Sequence, residues 1–462
     1  MVFSSVPFLY GFLPVVLLCC FVVPKRFKNL VLLAASLFFY YYGERAYTSL
    51  LLISSLSDYL HSLYIEKHRG TQRAKAALIS SIAVNLALLG FFKYADFLIS
   101  TVNGLLHTSI PLLKVPLPIG ISFFTFQTMS YTIDVYRGRV HAQKNLVTMG
   151  TFVCLFPQLV AGPIVRYSDI ALELEQRSTT LDEVSAGARR FVVGLAKKVL
   201  VANAMGELCG LYRSAGEQTT LFALLYAAAF TIQIYYDFSG YSDMAIGLGL
   251  LFGFHFPENF NYPYLSRSVS EFWRRWHMTL GGWFRDYVYI PLGGNRVPRL
   301  LYIRNIFVVW ALTGLWHGAA WNFVVWGLLF GVLLTAEKLF LDKWLQKCGR
   351  ILPHVYVMAV VVLSFVLFNA SSMQGALADI AAVLGLTGAP FAGTLSLYYL
   401  KSYAVLLAVS VVGCTPWPKK LALALPEGVR AVLEPVAMAV LLLLVTAYLV
   451  DGSFNPFLYF RF

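Results

Sequence analysis

The stretch LTGLWHGAAW (residues 312–321) places a histidine inside a run otherwise suited to lipid. A neutral imidazole carries one donor and one acceptor into a medium that satisfies neither, so His317 must face protein or a water-filled cavity. Gly314 and Gly318 flank it at GxxxG spacing, which lets another helix approach closely on that face. Trp316 and Trp321 add bulk suited to a tunnel wall. Two readings of His317 stay open at this level: a satisfied interhelical hydrogen bond, or a reactive group in a chamber.

The rest of the chain has the composition that such a run demands. Of 462 residues, 58% are hydrophobic and only 13% charged, whereas soluble domains sit nearer half apolar and a quarter charged. The expected fold is all-α: a polytopic membrane helix bundle of about ten to twelve spans, with re-entrant and interfacial helices added. A formal charge of +13 would raise nucleic-acid binding in a soluble protein. In a membrane protein it is explained by cationic cytoplasmic loops and anionic headgroups. The six cysteines, Cys19, Cys20, Cys154, Cys209, Cys348 and Cys414, are scattered without a CxxC pair. That pattern argues against a zinc site and against a disulfide framework.

Apolar runs near residues 6–23, 29–42, 47–64, 76–98, 116–136 and 146–164 are the first candidate spans. The first has no basic residue before it and KRFK directly after it, the reverse of a cleavable signal, and reads as a retained span with an extracytoplasmic N-terminus. The joining loops alternate in charge. Lys25, Arg26, Lys28, then Lys67, Arg69, Arg73, Lys75, then Arg137, Arg139, Lys144 fall in the odd loops, against only Arg45 and Lys114 in the even ones. This puts the odd loops in the cytoplasm.

Further on, Lys197 and Lys198 in FVVGLAKKVLVANAMGELCGLY (191–212) suit a re-entrant or interfacial helix. Residues 220–236 and 240–254 read as two helices joined at YYDFSGYSD. The aromatic, basic segment 259–299, broken by Gly and Pro, predicts short helices at headgroup depth. Spans resume near 303–314, 316–337, 353–369, 396–414 and 433–450, with a weaker run at 375–390.

The chain lacks GxxxxGK[ST], GxSxG and a His followed five positions later by Asp, so ATP-driven transport and serine-hydrolase chemistry lack their usual signatures. A second histidine has notable company: helical spacing would set Trp273, Arg274 and His277 on one face. The structural alternative is an interfacial belt, with Trp at headgroup level and Arg facing phosphate. Other polar residues at membrane depth are Gln127 with Asp134, Gln158 with Arg166, Gln233, and Asp237 with Asp243. Tyr241, four after Asp237, could cap that carboxylate; the competing reading is an ion-pair lattice with Lys197, Lys198 or an arginine.

The ordered set PIGISFFTFQ, FPQLVAGPI, YYDFSGYSDMAIG, NFNYPYLSRSVSEFWRRWHMTLGGWFRDYVYIPLGGNR, TGLWHGAAWNFVVWG and a terminal NPFLYFRF resembles the membrane-bound O-acyltransferase family, in its bacterial alginate O-acetyltransferase branch. The resemblance covers residues 115–335 most specifically. It implies a single domain over 1–462, with peripheral spans in 1–114, a catalytic core in 115–335 and C-terminal spans in 336–462. It further implies an hourglass cavity or tunnel with His317 as the catalytic histidine and His277 as the second polar residue of the site. The residues that would line the cavity or bind substrate are Trp273, Arg274, Trp316, Asp237, Tyr241, Gln127, Gln158 and Gln233. Proteins similar to it pass an acyl group from a cytoplasmic thioester such as acetyl-CoA to hydroxyls of an extracytoplasmic polysaccharide, with an exported partner transferase and no bound cofactor or metal. The setting would be the bacterial inner membrane. Transfer from thioester to alcohol needs a base for the hydroxyl and stabilisation of the oxyanion, and a neutral imidazole suits the first role. D-alanylation of teichoic acid ranks second. A transporter or flippase for an anionic polymer or lipid-linked sugar is the reading from another class, its path lined by Lys197, Lys198 and the Arg-rich segment.

Overall fold

A computed structural model describes residues 1–452, so the NPFLYFRF end lies outside the described residues. Among the described residues every regular element is helical. Seven helices among the described residues are long and apolar enough to cross a membrane: Gln72–Leu106, Thr220–Leu251, Arg299–His317, Trp321–Cys348, Ile351–Asn369, Thr394–Gly413 and Glu427–Asp451. The ten to twelve expected spans included shorter or more polar runs. Phe8–Val22 is a shorter apolar helix, and Tyr47–Lys67 is long but carries Ser54, Ser55, Asp58 and Ser62 on its buried side.

The packing divides into two units. One comprises Met1–Phe191 with Tyr241–Pro257. Polar residues buried between its helices form a paired network, as burial without water favours. Asp58 accepts from Ser81 Oγ at 2.6 Å and Asn85 Nδ2 at 2.8 Å, and Asn85 Oδ1 accepts in turn from Thr128 Oγ1 at 3.2 Å. The helix Ile121–Tyr136 is buried along nearly its whole length. Asn145 caps the next helix, Leu146–Cys154, with Oδ1 accepting from the amides of Val147 and Thr148.

The other unit comprises Val192–Gly240 and the chain from Glu258 onward. Two expectations are corrected by the helices that run through these segments. Residues 220–251 form one helix rather than two. The polar YYDFSGYSD segment does not break it, because residues 231–240 are all buried and Asp237 forms an ion pair with Lys198 at 2.8 Å. Gly240 is needed there for contact: a Cβ at that position would stand 2.7 Å from the Gly194 carbonyl oxygen. Lys198 itself sits in a π-helical turn, Lys197–Ala202, between Leu181–Ala196 and Asn203–Ser214.

The second correction concerns His317. It is the last residue of the helix Arg299–His317, not a member of the following span, because Gly318 is fully extended and Gly318–Ala320 turn the chain into Trp321–Ala336. The two helices form a tight hairpin. A methyl on Gly314 would run into the Phe323 carbonyl oxygen, and one on Gly327 into that of Trp310. Close approach on the glycine face of His317 is therefore realised, with Gly327 as the facing residue.

Candidate active site

The segment 259–299 folds as short helices, among them Val269–Arg275 and Met278–Phe284, followed by a π-helical turn Arg285–Tyr289. Ser268 caps the first by accepting from the Glu271 amide at 2.9 Å. That helix stops at Arg275, so Trp273, Arg274 and His277 do not share one helical face. Trp276 is extended and His277 is left-handed, with φ 43° and ψ 52°. A non-glycine residue with positive φ costs conformational energy and persists only where its surroundings hold it. Asn259 does the holding. Its carbonyl accepts from the Met278 amide at 3.0 Å, and its Oδ1 accepts from Thr279 Oγ1 at 2.9 Å and the Thr279 amide at 3.3 Å. A new helix starts there, and His277 is turned inward.

His277 is 1% exposed and His317 3%. Their ring centroids are 6.3 Å apart at an interplanar angle of 61°. Aromatic rings surround the pair. Trp316 stands 5.6 Å from His277 and 5.0 Å from His317, Phe238 packs edge-on against His277 at 4.7 Å, and Trp326 and Phe368 lie 5.1 Å and 5.4 Å from His317. Burial, and then the neighbouring His317, push the His277 pKa well below the usual imidazole range. Its ring is thus neutral near pH 7 and able both to donate and to accept.

A pocket of about 190 Å³ opens beside His277, with Trp273, Leu280, Arg285, Tyr289, Trp310 and Thr313 in its wall. Thr313 is one helical turn before His317. Trp273 packs edge-on against Trp326 at 5.5 Å and Phe330 at 4.9 Å.

Of the residues singled out in the sequence, His277, His317, Trp273 and Trp316 come together in this unit. Arg274 is exposed, Gln233 is buried, and Asp237 is committed to its ion pair with Lys198. Gln127, Gln158 and Tyr241 belong to the other unit. There both glutamines donate to the Phe152 carbonyl oxygen, Gln158 at 2.6 Å and Gln127 at 3.4 Å. Tyr241 stacks on Phe3 at 4.7 Å and hydrogen-bonds the Ala161 backbone. Asp243 also has an internal ion partner, Arg190 at 3.0 Å, and Asp134 has Arg139 at 3.4 Å. The lattice reading thus describes the acidic residues well. Sequence reasoning missed Trp326, Phe368, Asn259 and Glu337. Only Glu337 left a usable signal, as an acid at the end of an apolar run. Among the described residues no group of three His, Cys, Asp or Glu is placed to hold a metal ion.

Fold and site together define a multi-pass membrane protein built around a buried pair of imidazoles. Residues 45–377 match the membrane-bound O-acyltransferase family; the chain belongs to that family and is an O-acyltransferase. It is 40% identical over 379 residues to the probable alginate O-acetylase AlgI of Azotobacter vinelandii, covering 81% of this chain and 76% of that one. It is 33% identical to the peptidoglycan O-acetyltransferase of Helicobacter pylori, with 84% and 80% covered. Similarity to the teichoic acid D-alanyltransferase of Bacillus subtilis is 30% over 241 residues, half of this chain and 60% of that one.

Proposed function

We propose that the protein transfers an acetyl group from a cytoplasmic thioester, acetyl-CoA or another acetyl thioester, toward hydroxyls of an extracytoplasmic polysaccharide such as alginate, with His317 as general base. The observation that carries the reading is the 6.3 Å separation of two buried imidazoles. Hydrogen bonds of about 2.8 Å on each side can hold a single hydroxyl oxygen between rings so spaced. As that oxygen attacks the thioester carbonyl, the new C–O bond forms, its proton passes to His317, the C–S bond breaks, and the proton leaves with the thiolate. His317 ends its helix, so the negative end of the helix dipole favours the imidazolium formed in that step. Neutral His277 supplies a hydrogen bond to orient the acceptor or stabilise the oxyanion. Trp273 and Trp310 line the pocket beside His277, and Trp316 packs against both imidazoles, so the surroundings are largely apolar, which limits water as a competing acceptor.

Residues 115–335 carry the reaction in this reading, and a tunnel through the membrane joins donor to acceptor. The chain sits in a bacterial inner membrane with its N-terminus extracytoplasmic, and an exported transferase is the natural partner for the polymer. Identity over most of the chain to the alginate enzyme supports acetyl transfer. D-alanyl transfer is second, supported by similarity over only half the chain. The test is acetyl transfer by purified protein: His317→Ala should abolish it while expression and thermal stability persist, and a wild-type rate in that variant would refute the assignment.

A further inference from the structure

We propose that Glu337 is a positioning residue that sets where His277 stands relative to His317; this rests on the acyl-transfer reading of the histidine pair. Glu337 follows directly on the helix Trp321–Ala336 and is 2% exposed. Its carboxylate grips the start of the seven-residue helix Val269–Arg275. Oε1 accepts from the Val269 amide at 2.6 Å, and Oε2 accepts from the Ser270 amide and the Ser270 hydroxyl, each at 2.9 Å. With Ser268 taking the Glu271 amide, the first three amides of that helix are all satisfied.

A helix of seven residues does not hold its place unaided, since isolated helices shorter than about 12 residues are marginal in water. Tertiary contacts must therefore set its position. Helix Trp321–Ala336 and its continuation supply them at two points: the Glu337 carboxylate at the helix start, and Trp326 and Phe330 against Trp273 one turn later. His277 lies two residues beyond the end of that short helix, and Trp326 also packs edge-on against His317 at 5.1 Å. One rigid element thereby fixes both members of the pair. An apolar side chain would fill the same space without burying a charge. Charge-assisted bonds to three donors at a helix N-terminus instead impose direction as well as contact. Reacting groups tolerate little error, with a shift of about 1 Å worth up to about 100-fold in rate.

The experiment measures thiol release from acetyl-CoA with alginate present, using the full-length protein in detergent and the variants Glu337→Gln, Ser270→Ala, their combination and His317→Ala. Glutamine keeps one acceptor but turns an NH2 toward a donor, so kcat should fall about 10- to 100-fold with KM for acetyl-CoA within about threefold. Ser270→Ala removes one bond of three and should lower kcat about two- to fivefold, adding nothing to Glu337→Gln. Because loss of folded protein would also lower apparent kcat without changing KM, each rate is divided by the folded fraction, read from size exclusion and the melting transition; positioning requires that kcat per folded molecule falls. If Glu337→Gln fails to fold, Ser270→Ala decides, and wild-type kcat in it overturns the proposal. Wild-type kcat in Glu337→Gln overturns it too, provided His317→Ala is inactive. An active His317→Ala would instead sink the acyl-transfer reading beneath it.

Discussion

His277 and His317, forty residues apart in sequence, face one another with ring centroids 6.3 Å apart inside a shell of Trp316, Trp326, Phe238 and Phe368. If the two share a hydroxyl, their losses differ in size. Removing the base with His317→Ala should lower kcat by about 1,000-fold or more, whereas His277→Ala should cost about 10- to 100-fold. Together the substitutions should cost far less than the product of the two, because they act on one proton transfer. Multiplicative losses in steady-state kinetics would show that the rings work separately.

The buried state of His277 predicts a pH dependence of stability. Its folded pKa lies well below the ordinary imidazole value, so the unfolded chain binds the proton first as pH falls. The stability it contributes is complete above about pH 6.5 and is lost progressively below that, by up to about 1.4 kcal/mol per pH unit until the folded pKa is reached. Thermal unfolding in detergent between pH 7.5 and 5 should show the melting temperature of the wild type falling more steeply than that of His277→Gln. Parallel curves would mean that His277 is solvated.

At the helical hairpin, Gly314 and Gly327 let the two helices meet backbone to backbone. Gly314→Val forces side-chain atoms onto the Phe323 carbonyl, at a cost of about 1 to 3 kcal/mol or more. Because Phe323 lies in the first turn of the helix that begins just after His317, across the Gly318–Ala320 turn, catalytic loss should accompany the drop in melting temperature. Full activity and stability in Gly314→Val would contradict the packing described.

The ion pair of Lys198 with Asp237 is buried on both sides, at 4% and 2% exposure. Lys198→Met should destabilise by about 3 to 5 kcal/mol by stranding a carboxylate, while Lys198→Met with Asp237→Leu should recover much of that loss. A transport path through Lys198 predicts the opposite, since both variants would then fail in function equally while remaining stable. Melting temperatures beside transfer rates separate the two.

Much of this protein was legible in its sequence because the relevant energies are large and local. Placing polar or ionisable groups in apolar runs is costly enough that His317, Asp237 and Lys198 each demand a partner wherever the chain folds. The long apolar runs marked the helices, and the glycines beside His317 marked a close approach. Boundaries were harder. YYDFSGYSD looked like a break but is helical throughout, because burial and the Lys198 pair satisfy polar groups that would otherwise favour a turn.

What only the tertiary structure decided was direction. Whether His277 continues a helix or turns inward in a left-handed conformation depends on Asn259, almost twenty residues earlier. Where its short helix lies depends on Glu337, some sixty residues later. Local spacing carries no trace of either, since both rest on hydrogen bonds between distant segments. The sequence by itself determined that buried imidazoles exist and must be satisfied, through the cost of taking them out of water. Only the folding of distant segments onto one another decided that the two rings meet.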